Sequence, residues 1–323
     1  MLETRRSFLK TVGAWTMAGS SSFTPQPASS ARLRGVFPVG QTPYNPSGKL
    51  DLEGLAEEVR FCQRGGVHGF IWPQIASGWS YLSEKERLEG AEAILAAGKG
   101  GKTAIVIGIQ SADIGAVARY AKHAEKLGAN ALICLPPPGV SDEKALLEFY
   151  QQVGRFSELP LFMQTQGEMS VELVVRAFET IPTLRYVKDE AGEPLVRIAE
   201  LRRRSRDELA VFSGRGVRTM IREMELGFAG HCPYTGLADL YAQVFELFHG
   251  GRAREAFDMF GRILAFNSMA SESGHTLLVA RGVFKPGTKS REPSSAARKL
   301  AQETTPEVVR RLLEKYLKPF LRA

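Results

Sequence analysis

Short apolar runs alternate with longer amphipathic runs along most of the chain. Eight runs have the length and content of buried strands, at residues 35–39, 68–72, 103–107, 131–135, 161–164, 185–188, 210–213 and 229–232. Between them, at 51–64, 83–97, 113–127, 142–156, 171–180, 195–204, 217–226 and 238–248, apolar residues recur every three or four positions, the spacing of one helix face. Ser83 followed by Glu86 predicts a capping box at the start of the second helix. Eight such units with no obvious edge strand predict an α/β fold, a closed parallel (β/α)8 TIM barrel over residues 32–250. Further helical spacing follows at 251–323, interrupted by a Gly/Pro/Ser-rich stretch at 282–295, and is expected to be a helical C-terminal extension of the same domain.

Residues 1–31 break this pattern. Arg5 and Arg6, then Ser7-Phe8-Leu9-Lys10, a mildly apolar run and a Ser/Pro-rich tail resemble a twin-arginine-type signal segment, with small residues suited to cleavage near Ala31. A basic leader with two chance arginines is the plainer reading. The signal reading makes the protein periplasmic, or otherwise exported. No run of about 18 apolar residues predicts a membrane span.

The formal net charge is +7, of which two charges belong to residues 1–31 and five to the rest. The one dense basic cluster, Arg202, Arg203, Arg204 and Arg206, sits where a helix should end, where cations favour the helix dipole, so no nucleic-acid partner is expected. Cys62, Cys134 and Cys232 lie in or beside apolar segments and read as buried thiols. The five histidines lack ligand spacing, so no metal is expected. No glycine-rich phosphate loop follows a strand, so no nucleotide cofactor is expected either.

Several blocks in order then carry a family resemblance: Gly35-Val36, Thr42-Pro43-Tyr44, Asp51, Gly66-Val67-His68-Gly69, Leu82 to Arg87, Ala124 to Ala129, Pro160, Tyr186 to Gly192, and Phe212-Ser213-Gly214. Over nearly all of residues 34–320 the chain resembles dihydrodipicolinate synthase and N-acetylneuraminate lyase. That resemblance implies a barrel with a helical extension, a homo-oligomer (tetramer or dimer), a small-molecule keto acid as partner, and Lys188 as the lysine that forms a Schiff base. Taken alone, an apolar strand ending in lysine is a snorkelling surface residue more often than a nucleophile. At the end of a sixth barrel strand, however, Lys188 would enter the mouth where barrel enzymes work. An amine attacks a carbonyl only when neutral, and a desolvated mouth disfavours an ammonium.

Departures from the family pattern concentrate around that lysine. Where the family has Gly-Thr-Thr-Gly-Glu after strand two, this chain has Gln74, Ile75, Ala76, Ser77 and Gly78. Where the family has Pro-Tyr-Tyr after strand four, with the second tyrosine as acid/base, it has Pro136, Pro137 and Pro138. Proline cannot carry a proton. After strand five, Gln164-Thr165-Gln166-Gly167 replaces Tyr-Asn-x-Pro. Tyr44, His231 and Tyr234 are candidate replacements for the tyrosine by expected location; a packed or solvated role is the plainer reading for each. Substrate contacts are expected from Tyr44, Gln74, Ser77, Gln164, Ser213 and Gly214, with Arg215 as a carboxylate partner. Loop-backbone roles suit Gln74 and Ser77 equally well.

The favoured reading is a class I aldolase-like lyase or dehydratase acting on a keto acid derived from a sugar. A dihydrodipicolinate synthase with a rearranged proton relay and a non-catalytic keto acid binding protein are the alternatives.

Overall fold

The computed structural model describes residues 32–270, 275–291 and 305–323. The proposed signal segment at 1–31 lies outside them. Leu33–Ala323 forms one compact unit.

Eight parallel strands make a nearly closed barrel: β1 (Gly35–Val36), β2 (Gly69–Trp72), β3 (Ala104–Gly108), β4 (Ala131–Cys134), β5 (Leu161–Gln164), β6 (Leu184–Asp189), β7 (Ala210–Ser213) and β8 (Gly230–His231). From β2 to β8 each strand pairs with its sequence neighbours, and β1 pairs with β8. A parallel bridge between Val39 and Ile71 joins the β1 and β2 sides. The first and last strands are shorter than the apolar runs predicted. Pro38 and Pro233 lie just beyond them and have no amide hydrogen to continue a ladder. The chain stays extended past each, as the bridge from Val39 to Tyr234 records.

The helices follow the strands as the spacing predicts: α1 (Leu52–Arg64), α2 (Glu84–Gly98), α3 (Ile114–Lys126), α4 (Glu143–Val153), α5 (Val171–Thr180), α6 (Pro194–Arg204), α7 (Met220–Leu226) and α8 (Ala238–His249). Their starts are written locally. Asp51, Ser83, Asp113, Asp142 and Ser170 each accept a backbone N–H of the first turn through the side chain, and Ser83 with Glu86 completes the capping box. The basic cluster closes α6, where Arg202 pairs with Asp207 and Arg204 with Glu172.

Two layers of core result. The larger lies between strands and helices; the smaller fills the barrel with Phe37, Ile71, Val106, Ile133, Phe162, Tyr186 and Phe212 among others. Phe162 stacks on Tyr186 at 4.3 Å, and Phe212 meets Phe37 and Phe162 edge-on at 5.2 and 5.0 Å. Glycine makes room for these rings: a Cβ at Gly69 or Gly230 would lie 2.1 Å from Phe37 or Phe212. The rings plug the barrel, so a ligand can enter only at the ends of the strands.

Beyond the barrel lie α9 (Ala253–Met269), α10 (His275–Ala280) and α11 (Pro306–Leu312). This extension is tied back by Arg281, which is buried against Asp239 at 3.0 Å and stacked over Phe61. The Arg322 amide donates to the same Asp239 carboxylate at 2.9 Å. Residues 285–291 return over the strand ends: Lys289 and Tyr44 exchange backbone hydrogen bonds of 3.0 and 2.7 Å, and Arg291 forks onto Glu86.

Candidate active site

Alternation along β6 and into the turn after it decides which side chains meet. Successive strand residues point to opposite faces, so Lys188 and Glu190 turn inward while Asp189 between them turns outward. Asp189 is fully buried between barrel and helices, where Arg197 grips it at 3.0 and 3.1 Å and Thr165 donates to it at 2.7 Å. The same threonine hydroxyl accepts the backbone amides of Glu190 and Ala191 at 2.9 and 3.1 Å. The turn that carries Glu190 is thus anchored from behind.

On the inner face, Lys188 is 5 % exposed, and its Nζ lies 3.5 Å from Glu190 Oε1. Two further groups hold that carboxylate. Gln164 Nε2 donates to Oε2 at 2.6 Å, and the Arg215 amide donates to Oε1 at 3.0 Å. The Arg215 guanidinium donates to the Glu190 carbonyl at 2.6 Å. Gly214 supplies the space, since a Cβ there would lie 1.7 Å from Glu190 Oε1 and 2.9 Å from Lys188 Cε.

These groups open on a cleft of about 600 Å³ at the carboxyl ends of the strands. Its floor holds Lys188, Glu190 and Gln164; Trp79, Tyr81, Arg215, Arg218, Cys232 and Tyr234 stand around them. Gln164 Oε1 has no hydrogen-bond partner among the described residues. Burial pushes the Cys232 thiol up to about 12, against the pull of the Lys188 charge. Cys62 and Cys134 are buried thiols as well. Across Trp79 and Ile75 lies a second recess of about 340 Å³, walled by Pro136, Pro137, Pro138, Val140 and Met169. The three prolines therefore make an apolar side wall.

Of the residues expected at the site, Lys188, Gln164, Gly214, Arg215 and Tyr234 come together at the cleft. Gln74, Ser77, Ser213, His231 and Tyr44 do not. Ser77 spends its hydroxyl within the loop, donating to Gly40 O at 2.6 Å and accepting the Gln74 amide at 3.0 Å. Gln74 is buried against Gln110 and Pro73, bonding the former at 3.1 Å. Ser213 pairs in register with Asp189 and so faces outward, where its hydroxyl donates to Glu223 and lies 3.2 Å from His231 Nδ1. His231 in turn meets Glu223 at 2.7 Å and is fully buried, away from the cleft. Burial works against the Glu223 charge, but His231, Ser213 and Thr219 together hold its carboxyl below the usual range.

Tyr44 lines a separate recess behind the β2 loop, capped by the Arg291 guanidinium 3.9 Å over its ring. Burial pushes its hydroxyl up to about 12. Tyr234 and Arg215 do line the cleft. Glu190 was not singled out by sequence reasoning, although the Lys-x-Glu spacing on a strand end was signal enough.

Among the described residues no cluster of three or more His, Cys, Asp or Glu side chains could hold a metal, and no helix is long and apolar enough to cross a membrane.

The chain is similar to known proteins over most of its length. The profile of the Dihydrodipicolinate synthetase family covers residues 32–314. An uncharacterised DapA-like lyase of Thermococcus onnurineus is 25% identical over 271 residues, 77% of this chain and 88% of that protein. The L-2-keto-3-deoxyarabonate dehydratase of Azospirillum brasilense is 24% identical over 270 residues, 80% of this chain and 86% of that protein. Among solved structures, dihydrodipicolinate synthase from Rhodopseudomonas palustris superposes with a TM-score of 0.74 at 19% identity, covering 87% of this chain and 97% of that one. N-acetylneuraminate lyase from Mycoplasma synoviae gives 0.76 at 17% identity, covering 89% and 99%. A profile match spanning most of the chain, together with the fold, establishes that this protein belongs to the dihydrodipicolinate synthetase family.

Proposed function

We propose that the protein is a lyase of the class I aldolase type, forming a Schiff base between Lys188 and a 2-keto acid and breaking a carbon–oxygen or carbon–carbon bond in it. One observation carries the reading: a buried lysine amine at the floor of a 600 Å³ cleft, with a fixed carboxylate 3.5 Å away. The amine adds to the keto carbon and water leaves. The resulting iminium draws electrons from the neighbouring bonds, which lets a proton, a hydroxyl or a carbon fragment depart. Gln164 Oε1 is an unused acceptor suited to a substrate hydroxyl, and Arg215 and Arg218 suit a carboxylate. A keto acid derived from a sugar fits these groups, and the 24% identical keto-deoxy-arabonate dehydratase supports dehydration as the bond-breaking step.

We infer further that the protein is exported through residues 1–31 and works as a dimer or tetramer. Support for these lies in the paired Arg5 and Arg6 and in the family's habit of association. Borohydride reduction in the presence of a keto acid panel beginning with pyruvate, followed by peptide mass spectrometry, tests the central claim. The expected result is an adduct on Lys188 that disappears in Lys188→Ala. A folded protein that yields no adduct across the panel sinks the aldolase reading in favour of ligand binding without turnover.

A further inference from the structure

The geometry points to Glu190 as the group that moves the substrate proton in this site, in place of the absent tyrosine. This rests on the Schiff-base reading and supplies its missing acid/base. Three observations converge on it.

The first is position. A keto acid bonded to Lys188 Nζ has its C3 two bonds from that nitrogen, and Glu190 Oε1 stands 3.5 Å from the nitrogen on the cleft side. An oxygen there comes within the roughly 2.6–3.2 Å reach that proton transfer requires.

The second is that the carboxylate is held rather than merely present. Gln164 Nε2, the Arg215 amide and the Thr165-anchored turn fix both of its oxygens and its backbone. Gly214 leaves the space that any side chain would take from it.

The third is that the other candidates are placed elsewhere. Pro136, Pro137 and Pro138 carry no titratable group, His231 is buried against Glu223 away from the cleft, and Tyr44 lies in its own recess. Charged and titratable groups facing the carboxylate are Lys188 from β6, Arg215 from the turn after β7, and Cys232 from the segment after β8; Arg218 and Tyr234 line the same cleft.

The step balances without another reactant. Glu190 as carboxylate takes a proton from C3 of the iminium, and the C–H electron pair becomes the enamine double bond. In dehydration the enamine then expels the C4 hydroxyl, which takes that proton from Glu190 and leaves as water, restoring the carboxylate. The product is a conjugated iminium that water releases from Lys188.

Two readouts on the full chain separate this inference from the reading beneath it. One is borohydride trapping of pyruvate on Lys188; the other is exchange of the pyruvate methyl hydrogens with deuterated solvent, followed by proton NMR and normalised to trapped adduct. In Glu190→Gln, which keeps the shape and a hydrogen-bonding carbonyl, saturating pyruvate should still yield the Lys188 adduct. Exchange should fall by about 10²–10⁴-fold. Glu190→Asp, which retains the carboxylate on a shorter arm, should recover part of the exchange and covers the case in which the glutamine variant does not fold. Trapping with exchange within threefold of wild type in Glu190→Gln overturns the proton role alone. Wild-type trapping without exchange above background overturns it too. Failure of wild type to trap overturns both claims together.

Discussion

Substituting Gly214 by alanine isolates the geometry of the site from its composition, because no functional group is removed. The backbone there has φ −134°, outside the left-handed region. The cost of alanine is steric and local. The new Cβ would lie 1.7 Å from Glu190 Oε1, where ordinary contact begins at 3.4 Å, so the carboxylate must retreat by roughly 1.7 Å. Being the tip of a side chain, it can do so at a stability cost of about 1–3 kcal/mol. The retreat breaks its contact with the Arg215 amide and takes the oxygen beyond reach of a substrate bonded to Lys188. A misplacement of about 1 Å can cost on the order of 100-fold in rate. Gly214→Ala should therefore slow methyl-hydrogen exchange of pyruvate at least about 100-fold, or about 3 kcal/mol of barrier. The urea unfolding midpoint should fall by no more than that steric cost accounts for. An alanine variant that exchanges within threefold of wild type would refute the claim that this glycine exists to seat the carboxylate.

Other expectations concern stability. Glu58 is buried whole, and burial holds its carboxyl well above the usual range despite hydrogen bonds from Gln41 and Thr235. Because its folded-state value is raised, the group costs stability increasingly as pH rises above the unfolded value near 4.5. Glu58→Gln should thus melt higher than wild type at pH 7, by roughly 2–4 °C for each kcal/mol regained, with the gap closing below about pH 4 in calorimetric scans. Glu223 shows the opposite sign: its carboxyl is held low, so the stability it adds is complete above the unfolded value and lost as pH falls through the folded one. Calorimetry of Glu223→Gln should show a deficit at pH 7 that shrinks in acid, and a constant deficit would show that its charge is not the cause. Asp239→Ala would strand the buried Arg281 and should lower unfolding free energy by about 3–5 kcal/mol in urea titrations.

Much of this architecture was legible because local and global signals agree. Strand runs and helix spacing each recur eight times, side-chain caps open five of the eight barrel helices, and the expected Ser83–Glu86 box is present. What misled was facing. Ser213 looked like a mouth residue because it stands next to Gly214, but which way it points is set by its register with Asp189 across the β6–β7 pair. Tyr44 was expected at the substrate and is instead covered by Lys289 and Arg291, from a segment some 245 residues later that no local pattern could announce. Gln74 and Ser77 went to the loop's own backbone and neighbours, the outcome short polar side chains often take. Glu190 is readable from strand alternation, two residues beyond Lys188 and so on the same face.

The alternation on β6 has a consequence for how such a site can change over evolutionary time. Lys188 faces the ligand, and Asp189, one residue on, anchors the wall through Arg197. Inserting or deleting a single residue within this strand would exchange the two, putting an aspartate at the reaction centre and burying an unmatched amine among the helices. Point substitution in β6 is therefore the only tolerated edit, while the turns carrying Pro136–Pro138 and Gln166–Glu168 border the second recess and can lengthen or shorten freely. New substrates should arise in relatives by indels in those turns, with the spacing around the lysine left untouched.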